Sequence, residues 1–158
     1  MRRTLEQDFL CDSLKGRIRY FSTRYRRAHD QTGRVCILVD DVEIINMPFE
    51  TEHALSCETQ RRKPGSGKSF NELYAEVSQE FHEQGRFEPY DFSVAFDEFM
   101  SSDVQDAIQS DNLLVRLFAI LDRRIGKRTL EKMRADMSDT PDWLMYFYKL
   151  RLESEGML

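Results

Sequence analysis

The stretch from Asp111 to Arg124, DNLLVRLFAILDRR, constrains the fold more than any other part of the chain. Leu114, Leu117, Phe118, Leu121 and Ile125 recur at helical spacing, and Leu113, Val115, Ala119 and Ile120 widen the stripe, so that only Arg116 interrupts it before Asp122. A helix apolar around most of its circumference must be covered on several sides, so this one is expected to be the central helix on which other elements pack. Gly126 is the expected stop, with Arg123 and Arg124 in a last turn where the macrodipole favours cations.

A chain of 158 residues can bury a core around such a helix without covalent staples. The three cysteines, Cys11, Cys36 and Cys57, form no CxxC pair and no zinc-type spacing, which suits a reducing compartment. The longest apolar runs, Val35–Val39 and Leu117–Leu121, fall far short of the roughly 20 residues a bilayer requires. Glu6, Gln7 and Asp8 also interrupt any signal-peptide core after Arg2 and Arg3. A soluble cytoplasmic protein with no membrane attachment is expected.

The net charge of −5 and the pI near 5.3 conceal an alternation of sign. Residues 1–34, 61–68 and 123–134 are basic, whereas 35–60, 69–122 and 135–158 are acidic. Either the blocks face one another and neutralise within the fold, or the long acidic block offers a surface to a basic partner.

Taken in order, Thr4-Leu5-Glu6-Gln7 has the form of a capping box opening a short helix to about Leu14. Residues 16–27, GRIRYFSTRYRR, are rich in aromatic and β-branched residues and predict a strand. Ile18 and Tyr20 lie on one face and Phe21, Thr23 and Tyr25 on the other, a switch that predicts a bulge near Tyr20 and Phe21. A turn at Asp30-Gln31-Thr32-Gly33 leads to Arg34–Val39, apolar on both faces and hence the middle strand. Asp40-Asp41 turns the chain into Glu43–Met47, completing a three-stranded antiparallel meander that Pro48 ends.

Residues 50–68 show no clear period and predict an exposed loop. Ser69–Glu72 is a second capping box, opening a helix with Phe70, Leu73, Val77 and Phe81 on one face and Gly85 as its stop. Phe92, Phe96 and Phe99 after Pro89, a short helix over 103–109, the central helix, a helix over 127–137 and a last helix capped at Thr140-Pro141-Asp142 complete the chain. The expected architecture is therefore α+β in a single domain over 1–158: a β-meander part at 1–49, the loop at 50–68, and a C-terminal helical bundle at 69–158.

Several patterns suggest chemistry. Gly65-Ser66-Gly67-Lys68-Ser69 ends like a P-loop, but Arg62 stands where the first glycine belongs and Arg61-Arg62-Lys63-Pro64 precedes it instead of a strand. His53 and Cys57 are four apart but lack two further ligands for zinc. Asp40, Asp41 and Glu43 have the donors of a divalent-cation site in a metal-dependent enzyme, while a double Asp is equally a turn. Arg17, Arg19, Arg24, Arg26, Arg27 and Arg34, interleaved with Tyr20, Phe21 and Tyr25, are suited to phosphates and base stacking, against the acidic balance of the whole chain. No Ser, Cys or Thr stands in a nucleophile motif.

The segments Leu121-Asp122-Arg123-Arg124-Ile125-Gly126-Lys127-Arg128 and Phe147-Tyr148-Lys149-Leu150-Arg151-Leu152-Glu153, with the Arg- and aromatic-rich hairpin Arg17–Asn46, resemble a family of small uncharacterised bacterial proteins. The resemblance implies a bacterial cytoplasmic protein and brings no activity with it. The expected function is a non-enzymatic protein-binding module, most concretely an immunity-type protein that covers a toxin domain, with Glu72, Glu76, Glu80 and Glu83 as the partner surface. The alternatives are a nucleic-acid-associated protein using Arg17, Arg19, Arg24, Tyr25, Arg26 and Arg27, and then a metal-dependent enzyme. No catalytic residue, cofactor or metal is expected, and a protein partner is.

Overall fold

The computed structural model describes residues 1–23 and 33–158. An N-terminal turn of helix, α1 (Arg2–Thr4), runs into a π-turn over Leu5–Phe9 and a 3₁₀ turn over Asp12–Leu14. Strands β1 (Ile18–Ser22), β2 (Val35–Val39) and β3 (Val42–Met47) follow, then α2 (Glu50–Arg62), α3 (Phe70–Glu83), α4 (Pro89–Ser101) and α5 (Val104–Ala107). The chain ends with α6 (Leu113–Leu121), α7 (Lys127–Met133), a 3₁₀ turn at Asp136–Asp139, and α8 (Asp142–Ser154). The fold is α+β, an N-terminal antiparallel meander followed by helices.

The sheet order is β1-β2-β3. Val35, Ile37 and Val39 of the central strand are buried against the helices, and Cys36 is buried on the other face. Asp40 and Asp41 both adopt left-handed backbone, φ 49° and 65°, the geometry that matches a two-residue hairpin to strand twist. The bulge falls between β2 and β3 at Ile37/Leu38, not at Tyr20 and Phe21; β1 pairs with β2 in unbroken register from Ile18↔Val39 to Ser22↔Val35. Phe21 simply occupies the solvent face, and Glu6 Oε1 accepts from the Tyr20 N–H at 2.7 Å, closing that part of the β1 edge. Arg24, Tyr25, Arg26 and Arg27, with Asp30, Gln31 and Thr32 of the expected turn, lie outside the described residues.

Helix α6 is central as its pattern predicts: Leu117, Phe118 and Leu121 are almost wholly removed from water, and α4 and α8 pack on it. Phe118 meets the rings of Tyr20, Phe92 and Phe99 at 6.0, 5.5 and 5.7 Å between centroids, joining sheet, α4 and α6 through aromatic edges. The helix stops earlier than Gly126, because Asp122 turns to ψ 134° and the Leu121 carbonyl accepts from the Cys11 N–H at 2.9 Å. Gly126 instead precedes α7 as its N-cap residue, and Arg123 and Arg124 lie outside the last turn of α6.

Four other expectations are corrected. The capping box at Thr4 does not form: Thr4 is itself helical (φ −62°, ψ −47°), and Gln7 accepts from Arg3 Nε at 2.9 Å. The predicted loop 50–68 is mostly helix α2, whose buried stripe is Thr51, Leu55 and Thr59. Two threonines at i and i+8 around a single leucine leave no apolar period to read; the Thr59 hydroxyl is satisfied by donating to the Leu55 carbonyl at 2.8 Å. The helix expected over 127–137 ends at Met133, and Asp136–Asp139 is 3₁₀. At the start of α8 the Thr140 hydroxyl donates back to the Met137 carbonyl at 2.7 Å, and Pro141 takes the cap position.

Candidate functional site

Helix α3 forms as its sequence predicts, with Ser69 and Glu72 closing a reciprocal capping box, and it turns away at Gly85 (φ 74°). Facing it is the N-terminus of α6, where Asn112 accepts from the Leu114 N–H at 3.1 Å. Glu98 of α4 fixes that approach by accepting from the Ser110 hydroxyl at 2.5 Å and the Asn112 amide at 3.3 Å. Between these walls, with Asp139–Pro141 at one side, lies an open cleft of about 1230 Å³.

One corner of the cleft is the end of α3. The His82 imidazole stacks on Phe87 at 4.7 Å, its Nε2 lies 3.0 Å from Asp91 Oδ2 and 3.4 Å from the Ser78 hydroxyl, and the Trp143 indole donates to the His82 carbonyl at 3.0 Å. Ser78, His82 and Asp91 are the residue types of a hydrolytic triad. Both contacts fall on the same ring nitrogen, however, so the imidazole cannot relay a proton between hydroxyl and carboxylate. Asp91 Oδ2 also accepts from the Glu88 N–H at 2.9 Å, which is ordinary helix capping.

The cleft is acidic. Glu83, Asp111 and Asp139 line it with no ion pair or hydrogen bond to their side chains among the described residues. Arg116, the one arginine of the lining among the described residues, has its Nε buried without an acceptor, and burial pushes its guanidinium pKa down against the pull of Asp136 and Asp111. Beside the corner, burial first and then Asp91 and Glu52 raise the Glu88 carboxyl above its usual range. Burial, then Glu88, Glu52 and Asp91, does the same to the Tyr74 phenol.

The four glutamates expected to form a surface are mostly engaged. Glu72 accepts from the Ser69 N–H at 2.8 Å, Glu76 pairs with Lys68 at 2.6 Å, and Glu80 pairs with Arg62 at 2.9 Å; Glu83 alone reaches the cleft unpaired. The blocks of opposite sign thus meet, and much of the acidic face is neutralised within the fold. In the hairpin, Arg17 holds Asp40 through two bonds of 3.0 and 2.7 Å, Arg19 lies 3.3 Å from Asp41, and Arg34 lies 2.7 Å from Glu43. The three carboxylates with the donors of a cation site are therefore each matched to a guanidinium. No cluster of three potential metal ligands occurs among the described residues. His53 Nε2 and Cys57 Sγ are 3.5 Å apart on the exposed side of α2, and Lys68 sits in a turn between two helices, bonded to Glu76.

The two C-terminal segments that carry the sequence resemblance meet in space. Asp122 is completely buried and accepts from Arg124 Nε at 3.0 Å, Nη2 at 2.6 Å and the backbone N–H at 2.7 Å, while the same guanidinium lies over the Phe9 ring at 4.8 Å. Buried Arg151 donates Nη2 to the Ile125 carbonyl at 2.9 Å, and its Nη1 lies 2.9 Å from Glu155 without the alignment of a hydrogen bond. Lys127 donates to the Glu155 carbonyl at 2.6 Å and Tyr148 to the Leu130 carbonyl at 2.5 Å. These residues fasten α6, α7 and α8 to the N-terminal turn; their work is structural.

Nothing local in the sequence marks the cleft, since Ser78, His82, Asn112, Arg116 and Thr140 come from three separate segments. The pieces with a short-range signal were α3, opened by its capping box, and the turn at Thr140-Pro141; the Asn112 cap went unread. Fold and site together define a small α+β protein, a three-stranded meander backed by helices and carrying an acidic cleft. The chain belongs to the SF0329 protein family, whose model matches residues 1–152 and so spans the hairpin and nearly all of both C-terminal motifs. Comparison with curated proteins and with solved structures finds no match. No helix among the described residues is long and apolar enough to cross a membrane.

Proposed function

We propose that the protein is a non-enzymatic, cytoplasmic protein-binding module of the immunity type, whose cleft receives a basic segment of a toxin domain. The observation that carries this reading is the set of carboxylates at Glu83, Asp111 and Asp139 around an open groove, none of them in an ion pair or side-chain hydrogen bond among the described residues. Acidic side chains that already have a partner add little to a new interface, whereas unpaired ones lining a concavity raise both the encounter rate and the discrimination for a cationic segment. The nucleic-acid alternative has less support, because Arg17 and Arg19 are neutralised by Asp40 and Asp41.

Charge reversal tests the assignment. The double substitution Glu83→Lys/Asp139→Lys should weaken retention of the protein partner that wild type captures from lysate of the native host, most strongly at low salt, and leave the melting temperature within a few degrees, since neither side chain holds the fold together. Capture of the same partner by wild type and the double variant alike would overturn the assignment to the cleft.

A further inference from the structure

Helices α2 and α3 are held together differently from the rest of the molecule. Their shared interior is Leu55, Val77 and Phe81, with half-buried Ala54 and Tyr74 against it, a cluster separate from the one that gathers sheet, α4, α6 and α8. Their ion pairs also close on themselves: Arg61 and Arg62 on Glu58 at 2.6 Å, Arg62 on Glu80 at 2.9 Å, and Lys68 on Glu76 at 2.6 Å. Among the described residues no side-chain hydrogen bond or ion pair of α2 reaches the sheet or α4 to α8, and those of α3 that do are gathered at its last turn.

That fastening is the His82 corner. It consists of the indole bond from Trp143 to the His82 carbonyl, the stacking of His82 on Phe87, and the 3.0 Å contact with Asp91. Immediately beyond it Gly85 takes φ 74° and passes so close to Trp143 that an added Cβ would stand 3.2 Å from the ring. The chain here has the features of a hinge: a left-handed glycine next to a small number of breakable contacts.

We propose that the α2–α3 hairpin is an arm that opens as a unit about the Gly85 corner while the body stays folded. Because α3 supplies one wall of the cleft and the starts of α6 and α8 supply the other, this movement sets the width of the cleft. A unit with its own small apolar interior and a few polar fastenings opens at lower free energy than the main core. Arg61, Arg62 and Lys68 travel with it, bonded to Glu58, Glu80 and Glu76. The movement belongs to the free protein, so it can fail or succeed separately from the protein-binding assignment above.

Native-state hydrogen exchange on the intact free protein tests it. Amides of α2 and α3 should exchange together, at least about tenfold faster than those of α6 and α8. Trp143→Phe keeps an aromatic ring but loses the indole donor, and should speed exchange of the arm by roughly threefold to tenfold, the worth of one hydrogen bond, with α6 unchanged. Asp91→Asn, which retains the oxygen that caps Glu88, should act in the same direction without disturbing the packing of Trp143. Equal protection of arm and α6 in wild type, or equal acceleration of both in the two variants, would overturn the proposal.

Discussion

Asp122 and Arg124 show what one residue pair does at the junction of three elements. A carboxylate removed from water needs its full set of donors, and Arg124 supplies three side-chain bonds, two of them from Nε, and the backbone one. Removing the guanidinium would leave the charge buried with little compensation, so Arg124→Ala should destabilise by about 3 kcal/mol in urea melts, more than loss of a typical exposed pair. Arg124→Lys should recover only part of that, since an ammonium cannot make the forked contact or lie flat on Phe9. A cost below about half a kilocalorie, as for a surface pair, would mean that Asp122 is held by the backbone alone. Arg116 is the opposite case: a guanidinium with a buried Nε and no acceptor, placed on the one side of α6 that faces the cleft.

At the scale of elements, α6 carries the packing. Leu117 is completely buried and central, and Leu117→Ala should cost roughly 2 to 5 kcal/mol, read as a lower denaturant midpoint with an unchanged slope. The arm has a different sensitivity. Hydrogen bonds from Arg61 and then Arg62 hold the Glu58 carboxyl down from 4.5 to about 2. A carboxyl depressed in the folded state contributes stability that is complete above its unfolded value and is lost as pH falls through the folded value. Acidification from pH 4.5 toward 2 should therefore loosen α2 and α3, and Glu58→Gln should remove that part of the acid response; backbone amide shifts followed by NMR over this range would show it. Elements with strong apolar rows, the meander, α3, α4 and α6, were legible in the sequence for the reason that their core residues are large and regularly spaced. Helix α2 was not, because Thr51 and Thr59 serve as core residues there and look like loop residues. The stop at Leu121 was hidden for a related reason: it depends on Cys11 and Phe9, more than a hundred residues away.

Across the whole molecule, alternating charge resolves into local pairing, which no count of charges along the chain reveals. Of the four glutamates expected to form a surface only Glu83 has no ion pair or side-chain hydrogen bond among the described residues, and Asp111 and Asp139 join it through the fold alone. Glu83 and Arg116 stood out in their own stretches, but the cleft was illegible because only the fold brings them together with Asp111 and Asp139. The Asp40-Asp41 turn shows the same economy of construction. Two non-glycine residues in left-handed backbone are strained, and an Asn-Gly pair would turn the chain more easily. Yet each of these carboxylates also grips an arginine of the neighbouring segment, Asp40 to Arg17 and Asp41 to Arg19. A slip of β1 by one residue would carry Arg19 to the inner face of the sheet and break that grip. The strained turn between β2 and β3 therefore acts as a register pin for a third strand to which it is not directly joined.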